Sequence, residues 1–185
     1  MKRIIVCILA VVFLCGCRNN DDIGPATALR KELQNAAGCS FEAVVTADYG
    51  ETVYTFVMDC VVDETGQLQF EVTEPDTISG ITGTISGDEG ALTFDEQVLA
   101  FDTMADGYIS PVLSPWVMIN SLKSGYITSC GELDNGHRIT LNDSYAEDAL
   151  EMDVWIDQEG KPVHCEILYK ERRCLTIVVE NFEFV

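Results

Sequence analysis

The sequence predicts a mainly β fold of the α+β class, a curved antiparallel sheet or half-barrel of about ten strands with two or three helices on its concave face. Most of the chain after residue 38 alternates apolar and polar residues at period two, the pattern of strands with one buried face. Short turns rather than helices separate these runs, so successive strands are expected to pair antiparallel. Two amphipathic segments are available to cover the apolar face, around which such a sheet can curl.

The N-terminal residues form an export signal. Lys2 and Arg3 precede an apolar run over residues 4–14, which is too short to span a bilayer and is typical of a secretory signal. In Leu14-Cys15-Gly16-Cys17, a Leu lies three residues before Cys17 and a small residue directly before it, as lipoprotein processing requires. Cys17 is therefore the predicted lipidated residue; an ordinary signal cleavage or an uncleaved anchor is the alternative. The chain then divides into a signal peptide (1–16), a tether (17–24) and one domain (25–185).

The chain is strongly acidic, with 11 Lys and Arg against 31 Asp and Glu and a formal net charge of −20. Such a surface repels nucleic acid and anionic headgroups, so we expect no nucleic-acid partner. Diacylglycerol on Cys17, with a further acyl chain, gives stable anchoring to the extracytoplasmic face of the cell membrane. The charge alone is also explained by a solvated acidic surface that keeps the protein in solution.

The cysteines and histidines do not indicate a metal site. Five cysteines follow the lipidated one: Cys39, Cys60, Cys130, Cys165 and Cys174. Their number is odd and no CxxC pair is present. His137 and His164 lie far apart, each on a predicted strand. We therefore expect no metal, no cofactor and no essential disulfide, with Cys39–Cys60 as the only plausible pair.

The domain begins with a helix and a hairpin. Residues 25–38 start with Pro and end with Gly, and Leu29, Leu33 and Ala36 lie on one stripe of the predicted helix. Strands over 39–49 and 53–62 follow, joined by a two-residue turn. That turn length sets small side chains opposite large ones along one face. It pairs Ala47 with Tyr54, Val45 with Phe56, Ala43 with Met58, and Phe41 with Cys60.

The middle of the domain is less regular. A three-residue loop over 64–66, with Gly66 in the left-handed region, places Leu68, Phe70 and Val72 on the same apolar face as the hairpin. A loop or short helix at 75–80 precedes a strand over 81–86 and two short strands over 91–95 and 97–101. A second helix is expected from "SPW", with Ser114 as N-cap and Pro115 at the first helical position, ending near Lys123 before Gly125.

The last third returns to strands. Runs over 126–133 and 137–143 are joined by Asp134-Asn135-Gly136, read as a three-residue loop with Gly136 left-handed. This register sets Glu132 opposite Arg138. A strand over 149–157 and a closing hairpin of 163–170 with 174–180 complete the sheet, and the sequence leaves the register of that hairpin open.

The order of these parts resembles the LolA/LolB-like lipoprotein-carrier superfamily, and within it the GerS-type germination lipoproteins of spore-forming Firmicutes. The segments that carry the resemblance are the lipobox, "EPDTISGITGTIS", the "SPW" helix start and the final "D-x-x-GKP…EI…NFEF". The resemblance implies an incomplete β-barrel covered by helices, with a concave apolar face that holds acyl chains in carriers. In the spore branch it implies a partner of cortex-modifying enzymes such as an amidase. Because this chain is lipidated in the prediction, a soluble shuttle is excluded.

An enzyme is not expected, because no G-x-S-x-G, P-loop or H-E-x-x-H motif is present. Two non-enzymatic functions remain open. In the first, the half-barrel binds a lipid or another apolar ligand, with Leu29 and Leu33 facing the lining. The predicted lining residues are Val45, Phe56, Met58, Leu68, Phe70 and Trp116. The same residues could equally be the core of a closed domain. In the second, the protein is a non-enzymatic scaffold or partner of another exported protein.

The lipidation site gives the first testable prediction. Cys17→Ser is expected to abolish lipidation and to block cleavage by the lipoprotein signal peptidase, because the modified thiol is missing. Metabolic labelling with a fatty-acid probe measures this, with Cys15→Ser as the matched control. Label that persists in Cys17→Ser and disappears in Cys15→Ser would contradict the assignment.

Overall fold

A computed structural model describes residues 22–86, the backbone of residues 91–94, and residues 103–185. The signal peptide, Cys17, most of the tether and the short strand predicted over 97–101 lie outside the described residues. The helices are α1 (Gly24–Asn35) and α2 (Ser114–Ser124), with 3-10 turns at Ala105–Gly107 and Pro111–Leu113. The strands are β1 (Cys39–Asp48), β2 (Val53–Val62), β3 (Leu68–Glu74), β4 (Thr82–Ser86), β5 (Ala91–Phe94), β6 (Tyr126–Leu133), β7 (Gly136–Asn142), β8 (Glu151–Ile156), β9 (Pro162–Tyr169) and β10 (Arg172–Phe184).

The ten strands form one antiparallel sheet in the order β5-β4-β3-β2-β1-β10-β9-β8-β7-β6. The sheet therefore consists of two five-stranded meanders joined by the pairing of β1 with β10. In the part of the chain that the structure describes, β5 and β6 are the two outer strands and do not pair with each other. The predicted fold class, a curved antiparallel sheet of about ten strands with helices on one face, is confirmed.

The register of the first hairpin is confirmed. Val45 lies opposite Phe56 and Ala43 opposite Met58, and the small-to-large pairing continues in both directions. The backbone N–H of Tyr49 donates to the Thr52 carbonyl at 3.0 Å, which closes the predicted two-residue turn. Gly66 has φ of +82°, as the three-residue loop before β3 requires. Turn length and period-two alternation together therefore suffice to predict the pairing of β1 with β2 and the loop that leads into β3.

Two bulges bend the central strand β10. Cys174 is an extra residue relative to β9, so that Cys174 and Leu175 are both buried. A second bulge, relative to β1, leaves Glu180 and Asn181 both exposed, and Asn181 has φ of +54°. Bulges increase bending and twist in the strand that carries them. They also shift the inward and outward positions, which is why the sequence alone left the register of the closing hairpin open.

One hydrophobic core lies between the inner face of the sheet and the two helices. From α1 it contains Ala26, Leu29 and Leu33. From α2 it contains Met118, Ile119 and Leu122. The helical stripes predicted for these two segments therefore face the sheet. Ala36, which was placed on the first stripe, follows the end of α1 and is partly exposed.

Ser114 is not the N-cap of α2, in contrast to the prediction. It is the first helical residue and is fully buried, and its hydroxyl donates to the Pro111 carbonyl at 2.7 Å. Leu113 occupies the N-cap position without a side-chain cap. The physical reason is the 3-10 turn at Pro111–Leu113, which runs directly into the helix and supplies the carbonyl that the hydroxyl uses.

The predicted pairing of Glu132 with Arg138 is also wrong, by one residue. The β6–β7 connection is a two-residue turn, with Leu133 opposite Gly136 and Glu132 opposite His137. Gly136 belongs to β7 and has φ of +139°, and a Cβ there would lie 1.9 Å from the Ile156 carbonyl oxygen. Glycine is required by this close approach to the end of β8. Arg138 instead lies 3.4 Å from Asp153 of β8.

The contact at Gly136 gives a stability prediction. Gly136→Ala is expected to lower the free energy of unfolding by about 2 kcal/mol or more, because the methyl group meets the Ile156 backbone at an unfavourable φ. Gly131→Ala is the matched control in β6, since a Cβ there has no neighbour within 4 Å. Urea unfolding measures both variants. Equal stability of the two variants would contradict the two-residue turn.

Candidate apolar ligand site

The structure brings the six predicted lining residues to one apolar layer on the inner face of the sheet. Five of them are buried on the strands, each at most 4% exposed: Val45, Phe56, Met58, Leu68 and Phe70. The sixth, Trp116, is half-buried on α2 and packs against the same layer. Its indole N–H donates to the Gly66 carbonyl at 3.1 Å. This bond ties α2 to the turn between β2 and β3.

The other half of the sheet extends the apolar layer. β7, β8 and β9 contribute Ile139, Leu141, Met152, Val154 and Ile167, all buried. These positions follow from the same period-two alternation that identified the first half. The segment before α2 adds Met104, Ile109 and Val112, which sequence reasoning missed because that segment has no periodic pattern. The isolated bridge between Met104 and Ile109 brings two of them to the core.

Hydrogen bonds hold the two covering helices to each other. The guanidinium of Arg30 donates to the carbonyls of Leu122 (2.8 Å) and Gly125 (2.7 Å), and more weakly to Ser121 (3.5 Å). The amide of Gln34 donates to the Lys123 carbonyl at 2.9 Å. The bonds to Leu122 and Lys123 satisfy carbonyls in the last turn of α2, which have no partner inside the helix. Burial lowers the pKa of Arg30 from its usual value.

A cleft of about 200 Å³ opens at one end of the sheet. It lies between the end of β1, the β9–β10 turn and the segment before α2. Its apolar floor is formed by core side chains, Met104 and Cys174, with Tyr169 beside them. Its rim is polar: the Arg172 guanidinium lies 3.8 Å from the Asp48 carboxylate. The cleft therefore connects the solvent with the edge of the apolar layer.

A polar network crosses the rim of this cleft. Asp106 accepts hydrogen bonds from Lys170 (2.8 Å) and from the Tyr169 hydroxyl (3.1 Å). These two donors, Lys170 first, hold the pKa of the Asp106 carboxyl below its usual range. Asp106 and Lys170 both have positive φ, a conformation that is uncommon for residues other than glycine. The network joins the β9–β10 turn to the segment that carries Met104.

The buried thiols are poor nucleophiles at neutral pH. Burial raises the pKa of Cys39 to about 11, and it raises those of Cys60 and Cys165 further. The thiolate is the reactive form, so these side chains serve as small apolar residues. Within the described ranges, no group of three or more His, Cys, Asp or Glu side chains could hold a metal ion.

A curved, open sheet with an apolar inner face and a two-helix cover is the class of fold that the described residues define. No family model and no curated protein matches the sequence. No helix in the described ranges combines the length and the apolar character needed to cross a membrane.

Several solved structures are similar to this chain. A LolA superfamily protein from Nitrosomonas europaea is 7% identical, with a TM-score of 0.40 over 86% of this chain and 93% of that one. The lipoprotein LppX from Mycobacterium tuberculosis is 13% identical, with a TM-score of 0.40 over 87% and 96%. LprF from Mycobacterium bovis is 11% identical, with a TM-score of 0.42 over 86% and 91%.

A LolA superfamily protein is thus among the solved structures to which this chain is similar. The relation to GerS-type lipoproteins stays a prediction.

The inner-face register gives a second stability prediction. Phe56→Ala is expected to lower the free energy of unfolding by about 3–5 kcal/mol, because Phe56 is 1% exposed and its loss leaves a void in the core. Thr55→Ala is the matched control, since Thr55 is exposed and loses only a surface hydrogen bond to Thr46. Its cost is expected to be about 0.2–1 kcal/mol. Urea unfolding compares the two, and a larger cost for Thr55→Ala would contradict the register.

Proposed function

We propose that this protein is a non-enzymatic lipoprotein, held on the extracytoplasmic face of the cell membrane by diacylglycerol on Cys17, whose half-barrel binds a lipid or another apolar ligand. The observation that carries the proposal is how the cover is attached. Arg30 and Gln34 tie α1 to α2, whereas the helices meet the inner face of the sheet chiefly through apolar side chains. Apolar contacts are non-directional, so an acyl chain can replace them without leaving polar groups unpaired, provided that the Trp116–Gly66 hydrogen bond is kept.

The composition of the apolar layer supports the same proposal. Every methionine after Met1 is buried in this layer: Met58, Met104, Met118 and Met152. Methionine is flexible and polarizable, and it fits apolar shapes that vary.

The cleft at the end of the sheet, about 200 Å³, is smaller than the roughly 300–1,000 Å³ of typical ligand pockets. A ligand therefore enters by displacing side chains of the layer, and flexible side chains make that displacement less costly.

The second candidate function is that of a non-enzymatic partner of another exported protein, such as a cell-wall or spore-cortex enzyme. The specific observation that favours it is the charge pattern on the outer face of the sheet, which the inner-face site does not use. The two functions occupy opposite faces and do not exclude each other.

Ligand binding is tested with a fluorescent fatty acid and the chain expressed from residue 22. Arg30→Met is expected to speed uptake several-fold, because the cover loses its bonds to α2 while the apolar stem is kept. Lys31→Met is the matched control: it removes one positive charge from an exposed position on the same helix. Native mass spectrometry of the parent protein is expected to show a bound lipid mass. If neither the parent nor Arg30→Met takes up fatty acid, the proposed function is wrong.

A further inference from the structure

The outer face of the sheet carries four carboxylates in one line. Glu71 of β3 lies opposite Asp59 of β2, Asp59 opposite Glu42 of β1, and Glu42 opposite Glu180 of β10. These four strands are neighbours, so the line, here termed the acidic row, runs straight across them. Three of the four residues are exposed and Glu42 is half-buried.

Among the residues that the structure describes, no positive charge compensates the acidic row. Like charges directly opposite each other on neighbouring strands are destabilising. No ion pair in the described part of the chain includes a member of this row. The strands β1, β2 and β3 contain no Lys or Arg at all. The fold itself does not need these charges, because the apolar side chains on the opposite face already fix the register.

A second line of side chains runs beside the first. Val57, Val44 and Val178 are directly opposite one another on β2, β1 and β10, and they form what we term the valine row. Val178 is 38% exposed and the other two are half-buried. Each lies two residues along its strand from a member of the acidic row, a distance of about 6.8 Å. This part of the outer face therefore presents an apolar stripe next to an anionic one.

The rest of the outer face differs. Beyond Val178, the same line continues through His164, Trp155 and Arg138 of the second meander. Two carboxylates there have ion-pair partners: the Arg138 guanidinium lies 3.4 Å from Asp153, and the Arg173 guanidinium lies 2.6 Å from Glu166. The directly opposed carboxylates of the acidic row, none of which is in an ion pair among the described residues, thus lie on β3, β2, β1 and β10.

We propose that the acidic row and the valine row together form a docking surface for an amphipathic helix of another exported protein, one with a Lys/Arg stripe beside an apolar stripe. Charge complementarity selects a cationic partner. The geometry selects a helix: neighbouring strands are about 4.8 Å apart, close to the rise of about 5.4 Å per helical turn. A helix lying along the row therefore meets one carboxylate with each turn. Side chains in adjacent stripes of a helix are about 5–6 Å apart, which is close to the distance of about 6.8 Å between the acidic row and the valine row.

The probe for this surface is a synthetic 18-residue amidated helical peptide with Lys at every third or fourth position beside a Leu stripe. A scrambled peptide of identical composition is its control. The full chain, purified in mild detergent, is compared with a variant that combines Glu42→Gln, Asp59→Asn, Glu71→Gln and Glu180→Gln. The control variant combines Glu132→Gln, Asp134→Asn, Glu147→Gln and Glu151→Gln, which changes the net charge equally at exposed positions on β6, β8 and the two connections between them and β7.

The acidic-row variant is expected to bind the peptide at least tenfold more weakly, and the control variant to stay within about twofold of the parent. The scrambled peptide is expected to bind tenfold more weakly than the patterned one. Because neutral side chains relieve the repulsion along the row, the urea midpoint of the acidic-row variant is expected to rise. A purely structural role of the row would lower that midpoint.

Three results would overturn the proposal. One is equal weakening by both variants, which would indicate unspecific attraction to an acidic surface. Another is the absence of any difference between the patterned and scrambled peptides. The third is a change confined to self-association in sedimentation, which would make the face an interface between copies of this chain. None of these results depends on fatty-acid uptake, so the proposal can fail while ligand binding stands, and the reverse.

Discussion

The pairing of β1 with β10 is the contact on which the rest of the structure depends. Without it the described strands are two separate meanders, because β1 and β10 are the only strands that connect them in the sheet. The pairing extends beyond the strands, with Ala37 N–H donating to the Val185 carbonyl and Val185 N–H donating to the Gly38 carbonyl, both at 3.0 Å. It sets Val45 beside Ile177 on the inner face and Val44 beside Val178 on the outer face. The apolar layer on the inner face and the two rows on the outer face thus both continue across the β1–β10 pairing.

Local signals in the sequence determined some of the fold, and long-range contacts determined the rest. The first hairpin could be predicted, because a two-residue turn and strict alternation of Val45, Phe56 and their neighbours permit one register. The Asp-Asn-Gly connection could not, since it fits loops of two or three residues. What decides between them is the approach of Gly136 to the Ile156 backbone, a contact with another strand. The β10 bulges are likewise set by pairing on both sides of that strand.

The candidate site was predictable to the same extent. Period-two alternation identified the strand residues of the lining, and the helical stripes identified Leu29 and Leu33. Arg30 was not identified, because its role is to satisfy carbonyls of α2 that lie about ninety positions further along the chain. Met104 was missed as well, since no periodic pattern marks the segment before α2. The residues that cover the apolar layer are thus harder to infer from sequence than those that form it.

The two faces of β1 and β2 are under different constraints: the inner face sets the strand register, and the outer face does not. On the inner face, one residue of slippage would expose Phe56 and Met58 and bury Thr55 and Val57, so packing alone fixes the register. The outward positions are then not needed to set the register, and a neutral or alternating set of charges there would be more stable. A run of unpaired carboxylates at those positions opposes folding instead of assisting it. The row can instead attract a cationic partner. The adjacent valines favour a partner that also has an apolar surface next to its positive charges.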